Sequence, residues 1–344
     1  MKPSRVLVLM HESLVPPASL KGLSDKEIDE FRTEYDVIAA LEKAGHEVKA
    51  MGLGDNLSEL RSVITDWKPD VAFNLLEEFQ GIVTYDQYVV AFLELMKLPY
   101  TGCNPRGMMI SRDKALSKQI LAYHRIPTPG FALFRKGMRY RIPRRLKYPL
   151  FVKSATEDAS FGISQASVVS DLERLKERIE FIHEQTNSDA LVEEYIEGRE
   201  LYVGVLGNER LRSLPVWEMD FGTLPDVMAG IATRKVKWDR QYQKKHGIRT
   251  GVAQNLPEGC EAYLDKLSKR IFRALYLSGY ARMDFRMRPD GSVFVLEANC
   301  NPNISREEDF AESAQAAGLE YPALLEQIIR VGNNYQAAWR AGES

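Results

Sequence analysis

Cysteine is scarce. Cys103, Cys260 and Cys300 are odd in number, far apart and without a CxxC pair, so neither a disulfide framework nor a structural zinc site organises the chain. Long apolar runs are also missing. The stretch VLVLM at 6–10 is too short for a signal-peptide core or a membrane span, and the run at 88–98 is interrupted by Glu94. Neither sign of charge is in surplus: 46 Lys plus Arg stand against 48 Asp plus Glu, a net charge of −2. That balance argues against a nucleic-acid coat or a polybasic membrane binder. No Walker sequence occurs, no GxGxxG follows the first β-rich run, and no nucleophile elbow is present. The five His do not cluster. With 44% hydrophobic residues, the 344-residue chain has ample material for the cores of two or three domains. The expectation is a cytoplasmic protein with neither membrane nor nucleic-acid partners.

The first hundred residues alternate strands and helices. RVLVLM at 5–10, HEVKAM at 46–51 and DVAFNL at 70–75 read as strands, with helices predicted over 30–44 and 57–67. This spacing predicts a parallel sheet with ligands beyond the C-terminal strand ends, near His11, Glu12, Asn74, Glu77 and Glu78. A second unit follows Pro105: a helix over 111–123, an extended IPTPG link, and strands at 131–134, 149–153 and 164–169. Ser170 and Glu173 form a capping box opening a helix with the stripe Leu172, Leu175, Ile179 and Ile182. Another strand is predicted over 190–195, and helices over 258–277 and 322–331. The fold class is therefore α/β followed by α+β. A basic cluster, Arg135, Lys136, Arg139, Arg141, Arg144, Arg145 and Lys147, reads as a solvated loop, since no stacking aromatic platform accompanies it.

The most informative stretch is YARMDFRMRPDGSVFVLEANCNPN at 280–303. Two alternating runs flank Pro289-Asp290-Gly291, a turn signal because Pro pre-sets φ and Gly supplies positive φ. With a loop of two or four residues, Asp284 faces Glu297 and Arg282 faces Asn299, all on one face. The other face, Met283, Phe285 and Met287 against Phe294, Leu296 and Ala298, is apolar and predicted to meet the core. Two carboxylates and an amide oxygen are hard ligands suited to Mg²⁺ or Mn²⁺, and Arg282 beside them suits a transferring phosphoryl group. Lys114, in SRDKALSK, and Lys153, before the small-residue loop around Ser160, are placed for phosphates. In LVEEYIEGRE, Glu193 and Glu200 suit an amino or ribose hydroxyl group, and backbone groups at Glu194 and Ile196 a purine edge.

Together, in this order, these elements resemble the ATP-grasp superfamily, in its D-alanine–D-alanine ligase-like branch. The resemblance takes in YDVIAALEKAGHEV, FNLLEE, LPYTG and DKALSKQILAYHRIPTP, nearly the whole chain. It implies a pre-grasp α/β domain at 1–105, a central lid subdomain at 106–192 and a C-terminal ATP-grasp subdomain at 193–344. It also implies ATP-dependent activation of a carboxylate as an acyl phosphate, which an amine then attacks. By motif position, Lys114, Lys153 and the loop through Ser160 contact ATP phosphates, and Glu193, Glu194, Ile196 and Glu200 hold adenosine. Lys237 reaches the phosphates from a mobile loop, Asp284, Glu297 and Asn299 hold two Mg²⁺, and Arg282 stabilises the acyl phosphate. A homodimer is suggested by the resemblance alone.

One departure is in the phosphate loop, which reads Glu-Asp-Ala-Ser at 157–160 where the family usually has Glu-Gly-Ser-Ser; the others lie at the substrate end. The family's Gly-Gly-x-Ser-x-Glu turn reads Met10-His11-Glu12-Ser13, Trp238 replaces a tyrosine, Asn303 replaces a glycine, and a carboxylate-binding serine falls in Arg306-Glu307-Glu308-Asp309. The expectation is a small-molecule carboxylate and an amine as substrates. Glu77, Glu78, Glu307, Glu308 and Asp309 would surround a cationic or polyamine-like amine. A genuine D-alanine–D-alanine ligase and a catalytically silent ATP-binding protein are the alternatives.

Overall fold

The computed structural model describes residues 2–17, 19–156, 163–224, 231, 233, 236–237 and 239–342. Three strands, β1 (Arg5–His11), β2 (Glu47–Leu53) and β3 (Val71–Asn74), form a parallel sheet in the order β2-β1-β3. The central run Val6 to Met10 is wholly buried because both faces are covered. Leu7 and Leu9 join one core, Val6, Val8 and Met10 another. The crossovers are the helices Arg32–Lys43 and Ser58–Trp67. The helix predicted over 30–44 is Arg32–Lys43. A short helix not predicted from the sequence, Asp25–Glu30, capped by Ser24 and Glu27, precedes it and stops at Phe31, whose φ of −125° is not helical.

The helix predicted over 111–123 is two, Pro105–Arg112 and Lys114–Tyr123. Asp113 separates them. Its backbone is extended, and its carboxylate accepts from the N–H groups of Ala115 and Leu116. A short acid satisfies orphan donors better as a cap than inside a helix.

An antiparallel sheet follows in the order β4-β7-β5-β6: β4 (Phe131–Phe134), β5 (Leu150–Ser154), β6 (Val168–Val169) and β7 (Ala190–Glu194). The strand predicted over 164–169 shrinks to two residues because Gln165–Ser167 take a 3₁₀ turn bracketed by Ser164 and Ser167. Helix Leu172–Gln185 packs on this sheet through Leu175, Ile179 and Ile182. Its cap is Asp171 rather than the predicted Ser170: Asp171 accepts from the Arg174 N–H, and the Ser170 hydroxyl donates to Asp171. Leu172 leaves the predicted stripe and is exposed.

The last sheet holds β8 (Arg199–Leu206), β9 (Arg212–Ser213), β10 (Trp217–Asp220), β11 (Arg249–Val252), β12 (Tyr280–Met287) and β13 (Val293–Asn299). It is antiparallel, in the order β11-β10-β8-β12-β13 with β9 on β8. Helix Cys260–Ala274 buries Leu264, Leu267, Ile271 and Phe272 in one core with Leu201, Val203, Met283 and Phe285. Helices Asp309–Ala316 and Tyr321–Asn333 join Phe310, Leu324 and Ile328 to the β1 residues Val6 and Val8. The chain crosses from the β4–β7 sheet to the last one over 195–198. Gly198 there has φ of 139°, and a Cβ would sit 2.0 Å from the Met287 carbonyl oxygen, so the crossing requires glycine. Among the described residues no helix is long and apolar enough to cross a membrane.

Candidate active site

β12 and β13 pair with Arg282 opposite Asn299, Met283 opposite Ala298 and Asp284 opposite Glu297, as the spacing predicts. Beyond Asp284 the register slips by one: Phe285 faces Val295, Arg286 faces Phe294 and Met287 faces Val293. Leu296 is the unpaired residue of a bulge, which absorbs the one-residue slip imposed by an odd-length turn, closed by the Arg288 N–H donating to the Ser292 carbonyl, and leaves the polar end in register. The predicted apolar face is corrected accordingly. On β13 the buried residues are Val293, Val295 and Ala298, whereas Phe294 and Leu296 are half-buried.

Cations converge on this polar end. The ammonium groups of Lys114 and Lys153 each lie 3.9 Å from Glu297 Oε2. Lys114 opens the helix capped by Asp113, and Lys153 stands on β5. Arg282 forks onto Asp284, Nε to Oδ1 at 2.8 Å and a terminal nitrogen to Oδ2 at 2.9 Å. Its guanidinium carbon lies 4.8 Å from the Tyr202 ring centre, and Lys237 Nζ lies 5.9 Å from the same ring. The two facing carboxylates split. Burial raises Asp284 above its ordinary value against the pull of Arg282. Burial opposes ionisation of Glu297 too, but Lys114, Lys153, Lys237 and Arg282 outweigh it and hold that carboxyl at about 2.

A lysine that the sequence reading did not single out anchors the arrangement. Lys118, one turn after Lys114, is fully buried; its ammonium lies 2.5 Å from Glu193 Oε1 and donates to the carbonyl of the bulged Leu296 at 2.8 Å. Lys153 holds the other Glu193 oxygen at 2.8 Å. Burial pushes Glu193 up, yet Lys118 and then Lys153 hold its carboxyl below the ordinary range. The signal available in the sequence was the i, i+4 spacing of Lys114 and Lys118, which puts both on one helix face.

The other expected residues fall in several places. Glu200 accepts from the Tyr202 hydroxyl at 2.6 Å and pairs with Arg286. Glu194 is half-buried and accepts from the Lys147 N–H, while Ile196 is buried. Asn299 accepts from the Asn301 N–H, and Asn303 accepts from the Thr33 hydroxyl at 2.9 Å. Glu77 is exposed, Glu78 lies 3.6 Å from His11, and Glu308 precedes helix Asp309–Ala316. Glu12 packs against Gly54, where a Cβ would meet its Oε2 at 2.6 Å. Ser160 and Trp238 lie outside the described residues.

Asp284, Glu297 and Asn299 offer two carboxylates and an amide oxygen. Among the described residues no three His, Cys, Asp or Glu converge, so a hard cation here would be completed by phosphate and water. The surrounding Lys114, Lys153, Lys237 and Arg282 suit a polyphosphate. A sequence model of the family described as "D-ala D-ala ligase C-terminus" matches residues 119–330. The chain belongs to the D-alanine–D-alanine ligase family. An uncharacterized protein, y4sG, of Sinorhizobium fredii is 32% identical to it over 88% of both chains. The D-alanine–D-alanine ligase of Pelotomaculum thermopropionicum is 30% identical over 90% of this chain and 93% of that one. The crystal structure of the Bacillus anthracis D-alanine–D-alanine ligase complexed with ATP superposes with a TM-score of 0.74 at 26% identity, covering 99% of this chain and 100% of that one. The ATP-grasp fold and the ATP-dependent, amide-forming carbon–nitrogen ligase class expected from the sequence are those of this family.

Proposed function

We propose that the chain activates a small-molecule carboxylate with ATP as an acyl phosphate and transfers the acyl group to an amine, giving an amide, ADP and phosphate. The observation that carries this reading is the convergence of four cationic side chains on the face that holds Asp284, Glu297 and Asn299. A carboxylate is a poor acylating group because oxide is a poor leaving group. In the first step a substrate carboxylate oxygen bonds to the γ-phosphorus and the bond to ADP breaks. In the second, the amine nitrogen, having lost its proton, bonds to the acyl carbon and phosphate departs with the C–O bond electrons.

Lys114 and Lys153 would hold phosphate oxygens, since both are already oriented toward Glu297 from two different elements. Lys237, in Coulombic reach of Asp284 and Glu297, would join them. Asp284, Glu297 and Asn299 would hold Mg²⁺, which screens the phosphate charge against nucleophilic attack. Two ions are the expectation and Mn²⁺ would serve. Arg282 would neutralise charge on the transferring phosphoryl group and on the tetrahedral oxyanion. Its fork with Asp284 and its seat over Tyr202 keep the guanidinium aimed before substrate arrives. Glu193, Glu194, Ile196 and Glu200, along the crossing between the two sheets, would border the adenosine, with Ser160 closing over the phosphates.

The departures at the substrate end favour a product other than D-alanyl-D-alanine. The test is hydroxylamine trapping, with purified protein, ATP, Mg²⁺ and pooled carboxylic and amino acids, and hydroxamates read by mass spectrometry. An ATP-dependent hydroxamate, lost in Arg282→Ala and Asp284→Asn, is expected. Intact ATP binding without any hydroxamate would point to a silent binding protein, and a D-alanine hydroxamate alone to a genuine D-alanine–D-alanine ligase.

A further inference from the structure

The connection from β4 to β5, residues 135–149, holds the basic cluster expected as a solvated loop. It runs from Arg135 to Lys147 without a single Asp or Glu. The segment does not hang in solvent. Ile142 and Leu146 pack into the core that holds Leu150, Leu175 and Ile179. The Tyr140 ring stands edge-on to Phe134, with centroids 5.0 Å apart and planes at 87°. Two turns tie it further: the Met138 N–H donates to the Arg135 carbonyl and the Leu146 N–H to the Pro143 carbonyl, each at 3.2 Å. A long connection packed by its own side chains is a common seat of function.

Between this connection, β4 and helix Lys114–Tyr123 lies a cavity of about 380 Å³, whose walls include Arg135, Met138, Arg139, Tyr140, Arg141 and, from the helix, Gln119. Among the described residues no carboxylate lines it. Its three guanidinium groups have no hydrogen-bond or ion-pair partner among those residues. Elsewhere in the fold, by contrast, Arg112 is forked onto Asp86, Arg199 onto Glu218 and Arg282 onto Asp284. The acids that touch the connection do so outside the cavity: Asp189 accepts from the Lys136 N–H at 2.9 Å, and Glu194 from the Lys147 N–H at 3.2 Å. Glu180 and Asp171 act through their charge on Tyr140 and Tyr148. Lys114, Lys153, Lys237 and Arg282 do not line the cavity, so it is separate from the site around Glu297.

Three guanidinium groups around one cavity repel one another, and an anion seated between them offsets that repulsion. Guanidinium forks match phosphate and carboxylate oxygens bidentately. The volume lies toward the small end of small-molecule pockets, which run from about 300 to 1,000 Å³. Tyr140 is the one exposed aromatic ring on its walls, whereas a nucleic-acid strand calls for a series of stacking rings. We propose that this cavity is a second ligand site, for a compact anion bearing at least two negative charges on phosphate or carboxylate groups. The site stands whether or not the chain is a ligase, because none of its walls belongs to the face that holds Asp284 and Glu297.

Binding, not turnover, tests this. The full chain, with its nucleotide site filled by Mg²⁺ and a non-hydrolysable ATP analogue, is titrated calorimetrically with fructose 1,6-bisphosphate, with tricarballylate and with an oligothymidylate. The first two separate phosphate from carboxylate, and the third reports a nucleic-acid surface. At least one compact anion is expected to saturate a single site per chain, and the double variant Arg139→Gln, Arg141→Gln to weaken it at least about tenfold. The control Arg144→Gln, Arg145→Gln removes as much charge from the same connection but not from the cavity walls, and is expected to bind within about twofold of wild type. All four side chains are exposed, so unchanged melting temperature and ATP-analogue affinity serve as the fold control. No saturable binding of either compact anion, equal losses in the two double variants, or tighter binding of the oligothymidylate than of both compact anions would overturn the proposal.

Discussion

Replacing Glu34 by Gln should change how stability depends on pH, and the sign follows from the structure. Burial raises the Glu34 carboxyl from 4.5 to about 7, with its own backbone N–H opposing and the Glu77 charge adding. A group whose folded value is raised is stabilising while protonated. Below about pH 4.5 both folded and unfolded chains carry the proton, and nothing is lost. Between 4.5 and about 7 the unfolded chain releases it while the folded one retains it, so stability falls as pH rises. At 1.36 kcal/mol per unit the loss reaches about 3 kcal/mol and then levels off. Gln has nearly the same shape and no proton to release. Urea unfolding of wild type and Glu34→Gln, in parallel from about pH 4 to about pH 9, isolates this contribution because all other titrations are shared. The variant should gain on wild type by about 3 kcal/mol across that window, all of it below about pH 8. A difference that is flat with pH, or one that grows in the opposite direction, would refute the burial argument.

Three further outcomes follow from the same geometry. Lys118→Met leaves two carbonyls at the bulge without their donor and Glu193 with one lysine instead of two, so unfolding free energy should drop by about 3–5 kcal/mol; a loss below about 1 kcal/mol in a denaturant titration would show that Lys118 does not hold the bulge. Arg282→Ala should lower kcat by about 10²–10³-fold, the usual size for one donor aimed at developing charge, with ATP affinity in a fluorescence titration changed far less; an equal loss in both would make Arg282 a binding group only. Gly198→Ala should destabilise by more than about 3 kcal/mol, because it adds a Cβ in direct collision with the Met287 carbonyl at positive φ; a soluble variant with an unchanged melting temperature would contradict that.

The part of the site written in local chemistry was legible. Alternation around Pro289-Asp290-Gly291 placed Asp284 opposite Glu297 and Arg282 opposite Asn299, because side-chain direction in a strand has period two. The apolar half of the same hairpin was misread, since the loop length could not be read from the turn residues and the bulge at Leu296 shifts register only on that side. Helix ends failed where a polar residue chose a cap: Asp113 and Asp171 both withdrew from the predicted helix interior to satisfy N–H groups. Lys118 and Glu34 were missed for a different reason. A lysine on a polar helix face and a glutamate in a first helical turn are both ordinary surface features in sequence. Only packing of distant segments turns them into buried ionisable groups: β7 and β13 close around Lys118, and Glu34 is buried with Val37, Ala40 and Leu41 on helix Arg32–Lys43.

The central claim is that the carboxylate substrate is phosphorylated before it meets the amine. The most direct measurement uses the acid identified by trapping, labelled with ¹⁸O in its carboxyl group, with ATP, Mg²⁺ and the amine, followed by mass spectrometry of the released phosphate and the amide. Phosphate carrying one ¹⁸O atom per amide formed is the predicted result, because the oxygen that attacked phosphorus leaves with it. Unlabelled phosphate accompanying amide formation would contradict the account.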